Sequence, residues 1–197
     1  MRNNQDKEHT YRIEYEDNII QYEKPIRSLT RSSDEDFVPP LHTRNHTLQT
    51  EKLDIQKAKE KEGIEQYADA MLEEEFLICK KVQGKQVVGF LAFIPCFEHH
   101  YLADYSPANY ITTIIVDPTH RRKGLTRKMY QVMLNGLPQK LTMPYLATRT
   151  WTGKKANTAH INLLEKLYFK PVTVIEDHRG PGIDTVYFAR EITREDL

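Results

Sequence analysis

The stretch Ile111–Tyr130, ITTIIVDPTHRRKGLTRKMY, limits the possible folds more than any other part of the chain. Its opening, Ile111–Val116, is rich in β-branched residues and reads as a buried strand. Asp117-Pro118-Thr119-His120 is a turn, with proline fixing φ and the aspartate ready to bond the backbone just after it. From Arg122 the spacing becomes helical, and Leu125, Met129, Val132 and Met133 form one apolar stripe. A strand, a tight basic turn and a helix aim several backbone N–H groups at one spot, at the positive end of the helix dipole. That is a site for a phosphate or pyrophosphate. Gly124 lets the backbone come close to such a ligand, and Arg121, Arg122, Lys123, Arg127 and Lys128 add charge. Taken alone, the pattern suits an ordinary solvated turn better. Two nucleotide motifs are excluded. The phosphate loop needs Lys-Ser or Lys-Thr after its second glycine, whereas Leu125-Thr126 follows Gly124; the dinucleotide fingerprint needs three glycines.

The basic turn is a local feature, because 28 Lys and Arg balance 28 Asp and Glu over the 197 residues. A neutral chain argues against nonspecific nucleic-acid binding, which needs a broad basic surface. No apolar stretch approaches membrane length and Met1-Arg2-Asn3-Asn4 does not open a signal peptide, so no membrane partner and a cytoplasmic location are expected. The two cysteines, Cys79 and Cys96, lie too far apart in the expected hairpin for a disulfide, with Cys79 opposite Gly89. Both read as small buried hydrophobes, and two cysteines do not make a metal site.

Residues 1–50 suggest two strands, Tyr11–Tyr15 and Ile19–Tyr22, around a turn at Asp17-Asn18, followed from Arg27 to Thr50 by irregular chain, with room for a short helix, that could cover a site. Asp54–Leu72 has helical spacing, with a solvated charged run at Lys57–Glu62 and a break or bend at Gly63. Phe76–Cys79 and Val87–Phe97 read as a hairpin. Glu98–Asn109 is a polar and aromatic loop whose His99-His100 pair near Asp104 lacks diagnostic metal-ligand spacing. After Ile111–Val116 and its helix come a strand at Tyr145–Trp151, a helix opened by Asn157, and strands at Val172–Ile175 and Thr185–Ala189.

Val116-Asp117-Pro118, followed by Arg121-x-x-Gly124-x-Thr126, resembles the acyl-CoA signature of the GNAT superfamily of N-acyltransferases, with Thr126 where the family has glycine or alanine. Asn157 to Phe169 resembles a second GNAT feature, an asparagine opening an apolar helix with Gly-Phe twelve residues on, Tyr168 standing for the glycine. Asparagine is also an ordinary helix N-cap. The resemblance spans residues 75–190. It implies one domain over 1–197 of mixed α/β (α+β) class, the GNAT fold, a twisted mixed sheet of six to seven strands with helices on both faces.

The resemblance further implies acetyl-CoA as co-substrate, no metal, and transfer of the acetyl group to a primary amine by direct attack in a ternary complex. The acceptor could be a small molecule, an aminoglycoside-like compound, or a peptide or protein amine. A homodimer is compatible with it. The pantetheine arm would lie between two splayed strands and pair with Ile114, Ile115 and Val116. One backbone N–H would hold the charge developing on the thioester carbonyl. Amides of Arg121, Arg122, Lys123, Gly124, Leu125 and Thr126 would grip the pyrophosphate, and Asn157 the pantetheine. Many members donate a proton to the leaving thiolate from a tyrosine seven residues after the asparagine; here that position is Leu164. His160 and, one turn past Leu164, Tyr168 are the candidate substitutes, and a His160 simply packed at the cleft wall is the plainer reading. Glu98 and His99 are candidate bases. The alternative is a non-catalytic acyl-CoA-binding or regulatory module with the same fold.

Overall fold

The computed structural model describes residues 10–48, 63–102, 104–153, 156–193 and 195–196. Among the described residues, seven strands form one sheet in the order β1-β2-β3-β4-β5-β7-β6. They are β1 (Tyr11–Glu16), β2 (Glu75–Lys81), β3 (Val87–Phe97), β4 (Ala108–Val116), β5 (Tyr145–Trp151), β6 (Lys170–Ile175) and β7 (Thr185–Glu191). Every pairing among these is antiparallel except β4 with β5. The α-helices among the described residues are α1 (Glu23–Ser32), α2 (Gly63–Leu72), α3 (Leu125–Asn135) and α4 (Thr158–Lys166). The mixed sheet and two-sided helical cover are the class expected.

Alternation along the central strands explains the two layers. Leu77, Cys79, Leu91 and Phe93 pack on the face that carries α3 and α4, with Leu125, Met129, Tyr130, Met133 and Leu164. Phe76, Ile78, Phe90, Ala92 and Ile115 pack on the other face, against Ile26 and Leu29 of α1 and Tyr67 and Met71 of α2. Strands covered on both faces lose the apolar-polar rhythm and read as apolar runs. Each such side chain withdrawn from water stabilises the fold by about 1.5–3 kcal/mol.

Several expectations are corrected. Ile19–Tyr22 is a short 3-10 turn leading straight into α1, so the strand expected there does not form; β1 pairs instead with β2. The short helix allowed for after Arg27 is the end of α1, which begins earlier, at Glu23, and continues to Ser32; short turns follow at Asp34–Asp36 and Leu41–Thr43. Buried Ile26 and Leu29 drive that helix. Cys79 is buried opposite Gly89, but Cys96 is exposed, because a bulge with φ of 53° at that residue ends the regular pairing of β3. Of the helical region expected from Asp54, the part from 54 to 62, with the charged run Lys57–Glu62, lies outside the described residues; Gly63 opens the part that is seen. The strands run further than expected at Ala108, Lys170 and Glu191. No helix among the described residues is long and apolar enough to cross a membrane.

Candidate functional site

β4 and β5 pair only from Ala108↔Tyr145 to Ile111↔Thr148 and then separate. The edge of β5 away from the gap stays paired with β7 along its whole length, so it is β4 and β5 that part. Beyond the last pair, the edge of β4 from Thr112 to Val116 faces a gap instead of a strand. Unpaired strand edges seek partners, and an extended ligand can act as one. At the point of separation Thr112 is an extra residue, since Ala92 pairs with Thr113 and Phe93 with Ile111. Such a bulge re-aims side chains and ends regular pairing.

The gap is part of a cleft of about 410 Å³, lined along one side by Ile111–Val116 and closed by Thr148, Arg149, Trp151, Asn157, His160 and Phe37 among others. Ile114, Ile115 and Val116, together with Arg121, Thr126 and Asn157, therefore share one cleft. Arg122, Lys123, Gly124 and Leu125 do not line it; they belong to the turn at its end. In that turn Asp117 accepts bonds from the Thr119 amide at 2.8 Å and the Thr119 hydroxyl at 2.5 Å. Its carboxyl is held below the usual range chiefly by that hydroxyl. Gly124 has φ of 75°, and a Cβ there would meet nothing within 4 Å. Its φ and the open space beside it fit a turn built for close approach of a ligand. Leu125 opens α3 and is buried beneath the turn. Arg121 bends back, Nε donating to the Val116 carbonyl at 3.0 Å and the guanidinium pairing with Asp36.

Asn157 caps α4, its side-chain oxygen accepting from the His160 amide at 3.4 Å. Capping uses the carbonyl oxygen and leaves the side-chain NH2 as a donor. His160 lies beside it in the cleft, with Nε2 2.8 Å from the Tyr130 hydroxyl. Burial lowers its pKa to about 4, so the imidazole is neutral near pH 7. Leu164, one turn on, is wholly buried in the core between α4 and the sheet.

Three expected positions, Tyr168, Glu98 and His99, do not line the cleft. α4 stops at Lys166, so Tyr168 does not continue its face; it sits at φ of 63°, 79% exposed, at the turn where Phe169 N–H bonds the Leu164 carbonyl. A left-handed residue is a regular helix terminator, a place that favours glycine. Glu98 is exposed at the end of β3 and does not line the cleft. His99 is stacked between Phe97 and Tyr187, and burial lowers its pKa. His99, His100 and Asp104 form no metal-holding group; among the described residues only Asp34, Glu35 and His42 gather closely enough.

A residue that sequence reasoning missed is Glu74. It lies between α2 and β2, bonded by the Thr47 hydroxyl at 2.5 Å and by the hydroxyl of the bulged Thr112. Burial pushes its pKa up to about 7 despite those two bonds. A carboxyl that titrates near neutrality, touching a residue that lines the cleft, is suited to accept a proton. Its only sequence signal was a charged residue at the entry to a strand that is otherwise buried.

The sequence matches the model of the acetyltransferase (GNAT) family over residues 40–169. No curated protein matches it significantly. Solved structures resemble it throughout. An aminoglycoside 6'-N-acetyltransferase complexed with coenzyme A is 14% identical, with 92% of this chain and 97% of that one covered and a TM-score of 0.58. The ribosomal-protein-S5-alanine acetyltransferase of Vibrio fischeri is 11% identical, covering 94% of each chain at a TM-score of 0.60. A variant of the spermidine N-acetyltransferase of Vibrio cholerae is 12% identical, covering 92% and 94% at a TM-score of 0.57. At such identities the likeness is one of fold.

Proposed function

The chain belongs to the GNAT family of acetyltransferases, and from that premise we propose that it transfers the acetyl group of acetyl-CoA to a primary amine by direct attack within a ternary complex, in the cytoplasm. The observation that carries this reading is the gap between β4 and β5 beyond Ile111 and Thr148, ending at the turn of Arg121 to Thr126. Acetyl-CoA supplies an activated thioester. The chain's own residues do the rest. Main-chain groups of Ile114, Ile115 and Val116 are the partners for a pantetheine arm lying as an added strand. The Asn157 side-chain NH2 is a further donor to it. Amides from Arg121 to Thr126 gather at the N-terminus of α3, where the dipole favours a pyrophosphate.

Near the bulge, a backbone N–H fixed in place before reaction would stabilise negative charge developing on the carbonyl oxygen. An amine must shed a proton to attack. Thr112 can take it while passing its own hydroxyl proton to Glu74, whose pKa of about 7 suits that task. On the other side of the gap, His160 is neutral. If its Nε2 accepts from Tyr130, its Nδ1–H is free to bond a departing thiolate.

The test is to incubate the protein with acetyl-CoA and panels of amines, peptides and aminoglycosides and to follow free thiol. Thiol released in step with acetylated amine supports transfer. Binding of acetyl-CoA with no release above spontaneous hydrolysis supports instead a non-catalytic acyl-CoA-binding module.

A further inference from the structure

The mechanism leaves three arginines unused. Arg149 lines the cleft, one residue past the point where β4 and β5 part. It donates to the Thr47 carbonyl at 2.8 Å and the Tyr187 hydroxyl at 3.4 Å. Arg179, 3% exposed, lies with its guanidinium 5.1 Å from the centre of the Trp151 ring and donates to the Thr185 hydroxyl and the Val38 carbonyl. Arg44, 5% exposed, lies 5.7 Å from the Phe37 ring and donates to the Pro39 carbonyl. Phe37 and Trp151 both line the cleft, with ring centres 6.2 Å apart. Two aromatic wall residues are thus each backed by a buried guanidinium.

Among the described residues no carboxylate lies within ion-pair distance of Arg44 or Arg179. The nearby acids are engaged elsewhere, Asp34 with His42, Asp36 with Arg121 and Glu74 with two threonines. The Nε of Arg44 is buried with no partner, as is the hydroxyl of Ser33, which lines the cleft. Burial first, and neighbouring guanidiniums after it, lower the affinity of Arg44 and Arg179 for a proton, whereas that of Arg149 is raised, against its own burial, by Tyr110 and Tyr187. Arg44 and Arg179 are buried cations whose partners among the described residues are neutral oxygens and rings; such cations are costly, and an anion brought near them recovers part of that cost. Low-dielectric walls focus their field into the cleft.

We propose that the acceptor is a small amine that also carries an anionic group, a carboxylate or a phosphorus oxyanion, held by Arg149 with Arg44 and Arg179 supplying field from behind Phe37 and Trp151. This rests on the acetyl-transfer reading and narrows its substrate. It disfavours polyamines and aminoglycosides, whose charge has the wrong sign. A purely structural role, in which the arginines only tie residues 38–47 to the sheet, makes a different prediction: no preference among acceptors.

The chain has a single tryptophan, Trp151, so its fluorescence reports events at this wall directly. With the protein saturated in coenzyme A, glycine and aminomethylphosphonate are titrated beside glycinamide and ethylenediamine, and larger amino acids beside their amides. Transfer rates from acetyl-CoA are measured for the same set. The expected result is that anionic members bind and react roughly ten- to a hundredfold better than their uncharged partners, the value of a charged hydrogen bond. The carboxylate and phosphonate arms tell which oxyanion fits. Arg149→Gln should erase the preference and Arg149→Lys should keep part of it, with acetyl-CoA affinity unchanged in both. Equal or better turnover of amides or diamines overturns the inference while leaving acetyl transfer intact. Transfer to no amine, with acetyl-CoA still bound, overturns both readings.

Discussion

Replacing Glu74 by glutamine should make the protein more stable and less active. The carboxyl titrates near pH 7 where an ordinary glutamate titrates at 4.5, and burial is the leading cause. The native chain therefore holds this proton more tightly than the unfolded chain. Between those two values the native state binds more protons, so the contribution of Glu74 to stability falls as pH rises, and above 7 the full cost is present. A gap of about 2.5 pH units corresponds to about 3 kcal/mol at most. Glutamine keeps the shape, cannot ionise, and offers one oxygen to the hydroxyls of Thr47 and Thr112. Relative to the parent, Glu74→Gln should gain up to about 3 kcal/mol near pH 8 and nothing near pH 4. In thermal melts of a chain this size that is roughly 6–12 °C. Comparing variant with parent at each pH cancels every other titrating group, including His160, whose lowered pKa gives a contribution of opposite slope. The same change should lower the transfer rate by about a hundredfold or more, the usual worth of a positioned base. A variant that melts at the parent's temperature near pH 8 would refute the buried, raised carboxyl; one that melts higher yet turns over normally would refute its role as proton acceptor.

Three further outcomes follow from the cleft. Gly124→Asp places a charge where pyrophosphate is proposed to sit and should weaken acetyl-CoA binding in calorimetry by at least about tenfold, while its left-handed φ costs only about 1–2 kcal/mol of stability; unaltered binding would show the turn is not the phosphate site. His160→Ala should lower turnover without moving the pH–rate profile near neutrality, because the imidazole titrates at about 4, and a lost inflection near pH 6–7 would contradict that. Tyr168→Gly relieves a left-handed residue and should raise stability in denaturant titrations by roughly 0.5–1 kcal/mol with turnover unchanged; a fall in rate would restore Tyr168 as a proton donor.

The elements were legible where one rule governed them. Ile111–Val116 and Leu125–Met133 announced strand and helix by composition and period, and Asn157 by its distance from a terminator at Tyr168-Phe169. Ile19–Tyr22 misled because three apolar or aromatic residues around Gln21 suit a strand or a turn equally, and only the apolar contacts of α1 decide between them. Cys96 misled because a bulge, which no local pattern marks, turned it outward. Glu98 draws notice in the sequence as a carboxylate in a polar, aromatic loop, a pattern that says nothing of its distance from the cleft. Glu74 sits in the charged run Glu73-Glu74-Glu75, and neither its burial nor its bonds to Thr47 and Thr112, distant in sequence, can be read from that run. Arg44, Arg149 and Arg179 likewise reveal nothing singly. They converge only when residues 33–48 fold over the cleft.

The most direct test of the central claim is a crystal structure of the chain grown with coenzyme A. The account predicts the pantetheine arm between β4 and β5, bonded to main-chain groups of Ile114 to Val116 and to Asn157, with the pyrophosphate on the amides of Arg121 to Thr126. Coenzyme A bound outside that gap, or the gap closed by pairing of β4 with β5 beyond Ile111 and Thr148, would contradict it.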